Sequence, residues 1–247
     1  MGADEQQLTE WAQQLSEDYL PDVWERVGSS PFTRVAYHPG LKLYYKEFMS
    51  RSPFESAKAA LRGSRATRAR QNGERLNRAG IDAPHNLFWG KLPCGREFLY
   101  TLAAPGRPVT DWLRDTATNG DAPDIAARRQ LLKELGVFIG RVHATGFIHG
   151  DLRPGNVLAA HIGGRFRFTL VDNERIGRGD PPAGRKLLRN LMQLNMLPLS
   201  QLGRRDRMRF FVNWRRQMRE LAPMEAKIIA AEAYLWAMRR LEGKGLR

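Results

Sequence analysis

The feature that most constrains this 247-residue chain is a loop in which polar side chains interrupt an apolar segment. The segment from Phe147 to Ala160 reads FIHGDLRPGNVLAA and places Asp151 and Asn156 five residues apart, around a Pro-Gly pair. Side chains on one helical face lie three or four residues apart, and Pro-Gly breaks helices. Burying such polar groups unpaired would cost roughly 1–3 kcal/mol each. The sequence therefore predicts a loop that directs both side chains at one ligand.

The apolar patterns on either side of this loop predict an α+β chain with two lobes. Residues 4–20 have the spacing of an amphipathic helix that Asp4 caps, with Leu8, Trp11, Leu15 and Tyr19 on one stripe. Strand patterns follow at 23–27, 33–37 and 41–48, then a helical stretch from Ser52-Pro53 and a second helix after Ser64. Residues 86–103 read as two strands joined by a Pro-Cys-Gly turn. Residues 111–116 and 125–145 then read as helices, and a strand pair and further helices come after the loop.

These patterns give three parts with a division near residue 104. Residues 1–22 form an N-terminal helix, and 23–104 form an N-lobe with an antiparallel sheet and one main helix. Residues 105–247 form a mostly helical C-lobe. The expected fold is thus the bilobal arrangement of a small sheet domain and a helical domain.

Basic residues outnumber acidic residues by 40 to 26, a net charge of +14, and concentrate in 34–78 and 185–219. Such clusters suit anionic partners, namely phosphates, acidic lipid or nucleic acid. The single cysteine, Cys94, excludes an internal disulfide framework and is typical of a reducing compartment. The most apolar run, 228–238, is too short to span a membrane, and the acidic start lacks signal-peptide features. We therefore expect a cytoplasmic protein.

Other residues supply the remaining parts that phosphoryl transfer requires. Lys46, on a strand, offers an ammonium group for phosphates, and Glu74, on the next helix, offers a carboxylate to hold it. Asp172 ends the strand FTLVD and can bind magnesium together with Asn156, while Asp151 can receive the proton of an acceptor hydroxyl. These groups are expected to converge around one metal-bound triphosphate.

Each of these residues also has an alternative interpretation. Lys46 can be an ordinary exposed strand lysine. Glu74 can pair with Arg70 or Arg78, four residues away on either side. Asp172 can simply form the turn at a strand end. The order of all the elements, rather than any one of them, favours the catalytic interpretation.

Four stretches of the chain together resemble a known superfamily. They are YYKEF, RQNGERLNRAGI, VHATGFIHGDLRPGNVL, and FTLVDNERIGR followed by RKLLRNL. Over about residues 25–200 the chain resembles the protein-kinase-like superfamily. Among its branches it is most similar to the bacterial lipopolysaccharide kinases, which phosphorylate Kdo or heptose of the inner core. The resemblance implies ATP as phosphoryl donor and Mg²⁺ as cofactor.

The resemblance also implies roles for residues in and after the loop. Asp151 would act as the base that accepts the proton of the sugar hydroxyl, and Arg153 would contact the transferring phosphate. Asn156 and Asp172 would hold Mg²⁺. His149 would hold the loop through packing and hydrogen bonds rather than act as a base.

In the N-lobe, the resemblance implies a nucleotide site. Lys46 would bind the α- and β-phosphates and be steadied by Glu74. The adenine would lie against the connection formed by Thr101, Leu102 and Ala103, which continues to Ala104. The phosphate-covering loop would be VGSSPFTRV, with Gly28, Ser29 and Ser30.

The chain departs from the protein-kinase pattern at three places. The phosphate loop has one glycine, so the nucleotide would be held more loosely there. Gly150 stands where many protein kinases have arginine, and Asn173-Glu174 follows Asp172 in place of Phe-Gly. These differences argue against a regulated protein-substrate kinase and resemble small-molecule kinases.

The leading functional hypothesis is a sugar kinase for the lipopolysaccharide core at the inner face of the inner membrane. The basic clusters would then hold the anionic core saccharide and an anionic membrane surface. One alternative is a kinase of another small molecule or of a protein. Another is a basic nucleic-acid-binding module or a pseudokinase scaffold. Nucleic acid is not expected as a partner, because aromatic residues such as Tyr44 and Phe98 lie where packing explains them.

Overall fold

The computed structural model describes residues 3–50, 63–118, 122–179 and 184–246. The chain divides into two compact units, Met1–Ala104 and Pro105–Arg247. The first unit contains α1 (Glu5–Ser16), β1 (Glu25–Val27), β2 (Thr33–His38), β3 (Leu43–Phe48), α2 (Arg65–Arg78), β4 (Asn86–Lys91) and β5 (Glu97–Leu102). The second contains β6 (Arg107–Pro108), α3 (Val109–Thr118), α4 (Ala122–Ala144), β7 (Phe147–Ile148), β8 (Val157–Ile162), β9 (Arg165–Leu170), β10 (Gly177–Arg178), α5 (Gly184–Leu194), α6 (Arg204–Arg215) and α7 (Pro223–Glu242). The helical stretch expected from Ser52-Pro53 lies outside the described residues.

The first unit is built on an antiparallel five-stranded sheet with the order β1-β2-β3-β5-β4. Alternate residues of β3 face opposite sides, as the pleat requires. Leu43 and Tyr45 belong to a core that includes residues of α1, whereas Phe48 packs with Ala66 of α2 and Leu99. The predicted antiparallel sheet and the predicted helix after Ser64 are therefore confirmed, and α1 covers the other face of the sheet.

The turn between β4 and β5 has the predicted Pro-Cys-Gly sequence. The Gly95 N–H donates to the Leu92 carbonyl at 2.8 Å. Gly95 has a φ of 85°, a conformation that side chains other than glycine adopt rarely. This local chemistry is why the hairpin was readable from the sequence.

Helix α1 ends earlier than the sequence pattern predicts. Asp4 caps its start, accepting from the Gln7 N–H at 2.8 Å. The helix stops at Ser16, and Asp18 adopts a positive φ of 70°. Tyr19 therefore leaves the predicted stripe and is 59% exposed. The prediction of a helix to residue 20 was wrong because side chains from distant parts of the chain bind the last carbonyls of the helix.

A buried carboxylate organises the end of α1. Arg34 donates to the carbonyls of Leu15 and Ser16 at 3.1 and 2.5 Å, and Arg96 donates to Ser16 at 3.2 Å. Both guanidinium groups pair with Glu47, at 3.2 and 2.9 Å. The Glu47 side chain is fully buried on β3. The carboxylate thus fixes the two cations that dock α1 on the sheet.

Replacing Glu47 with alanine is expected to lower the free energy of unfolding by about 3–5 kcal/mol, because Arg34, which is mostly buried, and Arg96 lose the buried carboxylate that they share. Denaturant unfolding of the purified protein measures this change. The control is Glu97→Ala, which removes a carboxylate from a half-buried position on the neighbouring strand. Equal losses in the two variants would show that the arginines do not depend on Glu47.

The second unit joins a helical layer to two small sheets. Helices α4 and α6 pack closely because Gly136 has no side chain; a Cβ there would lie 2.4 Å from the Phe210 carbonyl oxygen. Strands β8 and β9 form the predicted hairpin, to which β6 adds a third strand. The two-residue strands β7 and β10 pair with each other. These two-residue strands were not predicted, since they are too short to show a period.

A buried hydrogen-bond network links three helices of this unit. The Trp214 indole N–H donates to Nδ1 of His143 at 3.0 Å. Burial lowers the pKa of His143 to about 4, so its ring is neutral at neutral pH. Since Nδ1 accepts, the ring proton is on Nε2, which faces Oδ1 of Asn190 at 3.3 Å. Asn190 also donates to the His149 carbonyl at 2.5 Å and accepts from the His149 N–H at 3.0 Å.

This network predicts a loss of stability in acid. His143 has a pKa of about 4 when folded and 6.5 when unfolded, so the unfolded chain binds more protons between these values. The free energy of unfolding should therefore fall as pH decreases from 6.5 to 4, by up to about 3 kcal/mol from this residue. Denaturant unfolding across this range should show a smaller fall in His143→Gln. The exposed His161→Gln variant should keep the full dependence, and equal curves for all three proteins would contradict the assignment.

Candidate active site

The loop that follows β7 is folded by local hydrogen bonds. The Arg153 N–H donates to the Asp151 carbonyl, and the Asn156 N–H donates to the Arg153 carbonyl, both at 2.9 Å. Pro154 starts a single 3₁₀ turn, Pro154–Asn156, from which β8 leads away. Proline suits this position because the first N–H of a helical turn needs no partner. The spacing of five residues thus spans a tight turn between two strands.

Only one oxygen of Asp151 is engaged by the described part of the chain. Its Oδ1 accepts from Nε of Arg153 at 2.9 Å and from Nε2 of Gln193 at 3.2 Å. The Asp151 side chain is 16% exposed. Across the described residues, no donor reaches Oδ2. The carboxylate is therefore anchored through one oxygen and presents the other. The contact with Gln193 was not predicted from the sequence.

Asn156 is oriented in a similar way. Its Nδ2 donates to the Asp151 carbonyl at 2.8 Å, which leaves Oδ1 without a donor in the described part of the chain. The Asn156 carbonyl accepts from the Val171 N–H at 3.0 Å, directly before Asp172. A neutral amide oxygen and a carboxylate, both in segments joined by hydrogen bonds, fit the oxygen ligands that Mg²⁺ prefers.

Asp172 has an unusual backbone conformation. It lies after β9 with φ 61° and ψ 49°, in the left-handed region, and precedes the 3₁₀ turn Asn173–Arg175. A residue other than glycine held there costs of order 1 kcal/mol or more, although aspartate tolerates the region better than most. Such strain clusters at functional sites. The conformation therefore supports a role beyond forming the turn.

His149 connects the loop to the end of β9, as the sequence predicts. Its Nδ1 accepts from the Asp151 N–H at 3.2 Å, and its Nε2 lies 3.0 Å from the Val171 carbonyl. Burial lowers the pKa of His149, while the Val171 carbonyl, Asp172 and Asp151 act in the opposite direction. Because Nδ1 accepts, a neutral ring carries its proton on Nε2 and donates to Val171. Both ring nitrogens are used in holding the loop.

Gly150 is fixed by a close approach of the backbone. A Cβ at this position would lie 2.5 Å from Cβ of Arg175 and 2.6 Å from its carbonyl oxygen. No larger side chain fits without moving the turn that follows Asp172. This contact is the physical reason for a glycine where many protein kinases have arginine.

In the first unit, Lys46 lies beside an aromatic ring and Glu74 contacts two arginines of its own helix. Lys46 is half-buried on β3, with Nζ 5.3 Å from the centre of the Phe48 ring. Glu74 pairs with Arg70 at 3.0 Å and with Arg78 at 3.4 Å. These are the alternative partners, which lie on the same face of α2 because they are four residues away. A pairing of Glu74 with Lys46 stays a prediction.

The loop between β1 and β2 uses its hydroxyl groups internally. Ser29 Oγ donates to the Thr33 carbonyl at 2.7 Å, and Ser30 Oγ lies 2.9 Å from Oγ1 of Thr33. Gly28 has open space around it, since a Cβ added there would meet no atom within 4 Å. The serine side chains therefore shape the loop, and phosphate contacts here would fall to backbone N–H groups.

In the segment at the end of β5, the backbone N–H groups of Leu102 and Ala103 are already hydrogen-bonded to carbonyls of the first unit. The Leu102 N–H donates to the His85 carbonyl at 2.9 Å, and the Ala103 N–H donates to the Lys42 carbonyl at 2.7 Å. Thr101 pairs in the sheet with Tyr44. Of the predicted stretch, Ala104 retains an N–H with no acceptor among the described residues.

Among the described residues, no group of acidic, histidine or cysteine side chains could hold a metal ion by itself, and no helix could span a membrane. They contain no cluster of three or more histidine, cysteine, aspartate or glutamate side chains suited to a metal ion. None of the helices in the described ranges combines the length and apolar character needed to cross a membrane. A site with one carboxylate and one amide is compatible with the first result, because Mg²⁺ commonly takes further ligands from substrate phosphates.

Comparison with solved structures finds the same fold in WaaP and WbdD, among others. A structure described as "WaaP in complex with acyl carrier protein" superposes with a TM-score of 0.61 at 20% identity, covering 89% of this chain and 88% of that one. A structure of WbdD gives a TM-score of 0.51 at 20% identity, covering 87% of this chain and 45% of that one. The likeness shows a protein-kinase-like fold, as predicted.

Comparison with curated proteins found no match. A sequence profile of the lipopolysaccharide kinase (Kdo/WaaP) family matches residues 10–214, most of the chain. That span contains both units' predicted site residues, from the loop after β1 to the turn after β9. The chain therefore belongs to the lipopolysaccharide kinase (Kdo/WaaP) family and is a kinase.

Proposed function

We propose that this kinase transfers the terminal phosphoryl group of ATP to a hydroxyl of Kdo or heptose in the lipopolysaccharide inner core. The observation that carries the proposal is the Asp151 carboxylate, which is anchored through Oδ1 and open at Oδ2 among the described residues. Family membership supports the choice of a lipopolysaccharide acceptor. The excess of basic residues favours an acceptor rich in phosphate and carboxylate.

The proposed proton acceptor is Oδ2 of Asp151. A sugar hydroxyl within hydrogen-bond distance of this oxygen would lose its proton to the carboxylate as its oxygen bonds to phosphorus. The bond between the terminal phosphorus and the bridging oxygen breaks, and ADP leaves. His149 does not take this proton, since Nδ1 already accepts from the Asp151 N–H and Nε2 contacts Val171.

Asn156 and Asp172 are the proposed ligands of Mg²⁺. The amide oxygen of Asn156 has no competing donor among the described residues, and Asp172 lies directly after β9 in a left-handed backbone conformation. A Mg²⁺ ion held by these two residues would supply positive charge that neutralises the charge developing on the transferring phosphate. The chain's own contribution is to hold Asn156 through bonds to Asp151 and to Val171, the residue before Asp172.

Arg153 is the proposed contact for the transferring phosphate. Its Nε is held by Asp151 at 2.9 Å, while its side chain is 68% exposed. No acceptor within the described ranges engages its two Nη groups. A guanidinium group held at one nitrogen can offer the others to phosphate oxygens without losing its orientation.

The first unit would bind the nucleotide. Lys46 is the proposed partner of the α- and β-phosphates, and the backbone around Gly28, Ser29 and Ser30 would cover them. Glu74 would reach Lys46 only after releasing its two arginines. The Ala104 N–H is the proposed donor to adenine, because Leu102 and Ala103 already use theirs.

The test is incubation of the purified protein with Mg-ATP and dephosphorylated core oligosaccharide, read by mass spectrometry. We expect the gain of one phosphate. Asp151→Asn should lower kcat at least about 100-fold, because it removes the base, and Asp172→Asn should abolish turnover through the metal. The control is Asp82→Asn, the same change at an exposed position of the first unit, which should retain activity.

Three results would contradict the proposal. Phosphorylation of a peptide or another small molecule, with no core acceptor modified, would favour a different kinase of the superfamily. A protein that binds nucleic acid in a salt-sensitive way and lacks turnover would favour a scaffold or binding module. Full activity in folded Asp151→Asn would remove the assigned base.

We further propose that the exposed face of α6 contacts an anionic membrane surface. Met208 and Val212 lie four residues apart on this face and are 59% and 38% exposed. Exposed arginines flank them at positions Arg204, Arg205, Arg215, Arg216 and Arg219. Within the described chain none of these arginines pairs with a carboxylate, since Asp206 is taken by Arg128 and Arg209. Unpaired cations around apolar side chains are the pattern of an interfacial helix.

Cosedimentation with vesicles tests this surface. Binding to vesicles containing phosphatidylglycerol, but not to neutral vesicles, is expected. Each arginine near an anionic surface contributes about 1 kcal/mol, so Arg204→Gln with Arg205→Gln should weaken binding about 30-fold. The control pair, Arg165→Gln with Arg167→Gln on β9, removes the same charge from exposed positions elsewhere. Equal weakening by both pairs, or binding of an acidic protein instead of vesicles, would contradict the assignment.

A further inference from the structure

Two amide side chains on one face of α5 form hydrogen bonds with the loop that follows β7. Asn190 and Gln193 are three residues apart and therefore neighbours on the helix surface. They are 1% and 7% exposed. Asn190 bonds the backbone of His149, and Gln193 bonds the next part of the loop. Buried polar side chains need such partners, because leaving them unpaired costs about 1–3 kcal/mol each.

Gln193 makes two contacts with different consequences. Its Oε1 accepts from the Leu152 N–H at 3.0 Å, which fixes the amide against the backbone. Its Nε2 then donates to Oδ1 of Asp151 at 3.2 Å. Because the backbone contact fixes which end of the amide faces the carboxylate, a donor rather than an acceptor meets Asp151.

The second donor to Asp151 is held less firmly. Arg153 reaches the same Oδ1, yet its side chain is 68% exposed and its attraction is screened by water. Gln193, in contrast, is buried in the helix-loop interface, where water does not screen its contact with Asp151. The constant constraint on the carboxylate is therefore the glutamine.

We propose that Gln193 is a positioning residue for phosphoryl transfer: it holds Oδ1 of Asp151 so that Oδ2 faces the acceptor hydroxyl. This inference rests on the proposed role of Asp151 as base. Gln193 acts through Asp151 and touches neither substrate nor nucleotide. A carboxylate free to rotate about its Cβ–Cγ bond would spend part of its time with neither oxygen aimed at the acceptor hydroxyl, which lowers kcat rather than binding.

The test uses Gln193→Glu, which has the same shape. It keeps an acceptor for the Leu152 N–H and replaces the donor facing Asp151 with an oxygen. We expect kcat to fall about 10- to 100-fold, the size that small misplacement of a catalytic group produces, while KM for ATP changes less than about twofold. The matched control is Gln130→Glu on α4, which also removes an amide donor from a carboxylate, that of Glu134 at 3.1 Å. It should leave kcat unchanged.

A double-mutant cycle separates positioning from folding. If Gln193 acts through Asp151, adding Gln193→Glu to Asp151→Asn should cost less than about twofold in the residual kcat. A purely structural role would cost the same factor in both backgrounds. Thermal unfolding of each variant verifies that the protein is folded at the assay temperature. Should Gln193→Glu unfold, Gln193→Met, which brings no charge into the loop, makes the same comparison.

The outcomes distinguish this inference from the proposed function. Wild-type protein that phosphorylates no core acceptor, or full activity in Asp151→Asn, would overturn the function itself. Active wild-type protein with unchanged kcat in a folded Gln193 variant would overturn the positioning role alone. So would a loss of kcat that is equally large in the Asp151→Asn background.

Discussion

The two hydrogen bonds between Asn190 and the backbone of His149 are the contacts on which the geometry of the loop after β7 depends. They join a helix to a chain segment 41 residues earlier, and both groups are buried. The backbone N–H and C=O groups of this loop are not paired within a helix or a β-sheet. The Asn190 side-chain amide therefore supplies the hydrogen-bond partners that a neighbouring strand would otherwise provide. Each bond contributes about 1 kcal/mol, and breaking one leaves a buried group unpaired at greater cost.

Much of the fold was readable because it depends on neighbouring residues. Asp4 and Ser64 cap their helices from one position away, and Gly95 permits its own turn. The strand pattern around Lys46 is visible because one face meets α1 and the other meets α2. The Asp151 and Asn156 spacing was interpretable for the same reason, since both belong to one tight turn.

The features that the sequence did not reveal all involve partners far along the chain. Helix α1 ends at Ser16 because Arg34 and Arg96 bind its last carbonyls, and no residue near Ser16 in the sequence indicates this end. Gln193 is 42 residues from Asp151, and the amphipathic pattern of its helix does not indicate a contact between them. Glu74 pairs with Arg70 and Arg78, four residues away on either side, and these local pairs are the ones that helical spacing indicates.

Asp151 and Asn156 follow one physical rule. Each has two polar atoms at its tip, and the protein binds one of them: Oδ1 of the aspartate through Gln193, and Nδ2 of the asparagine through a backbone carbonyl. The bound atom fixes the rotation of the group, so the remaining oxygen has a defined direction before any ligand arrives. Orientation that is established during folding costs nothing when the substrate binds. Under the proposed function, the same polar contacts that stabilise the loop also orient its side chains for phosphoryl transfer.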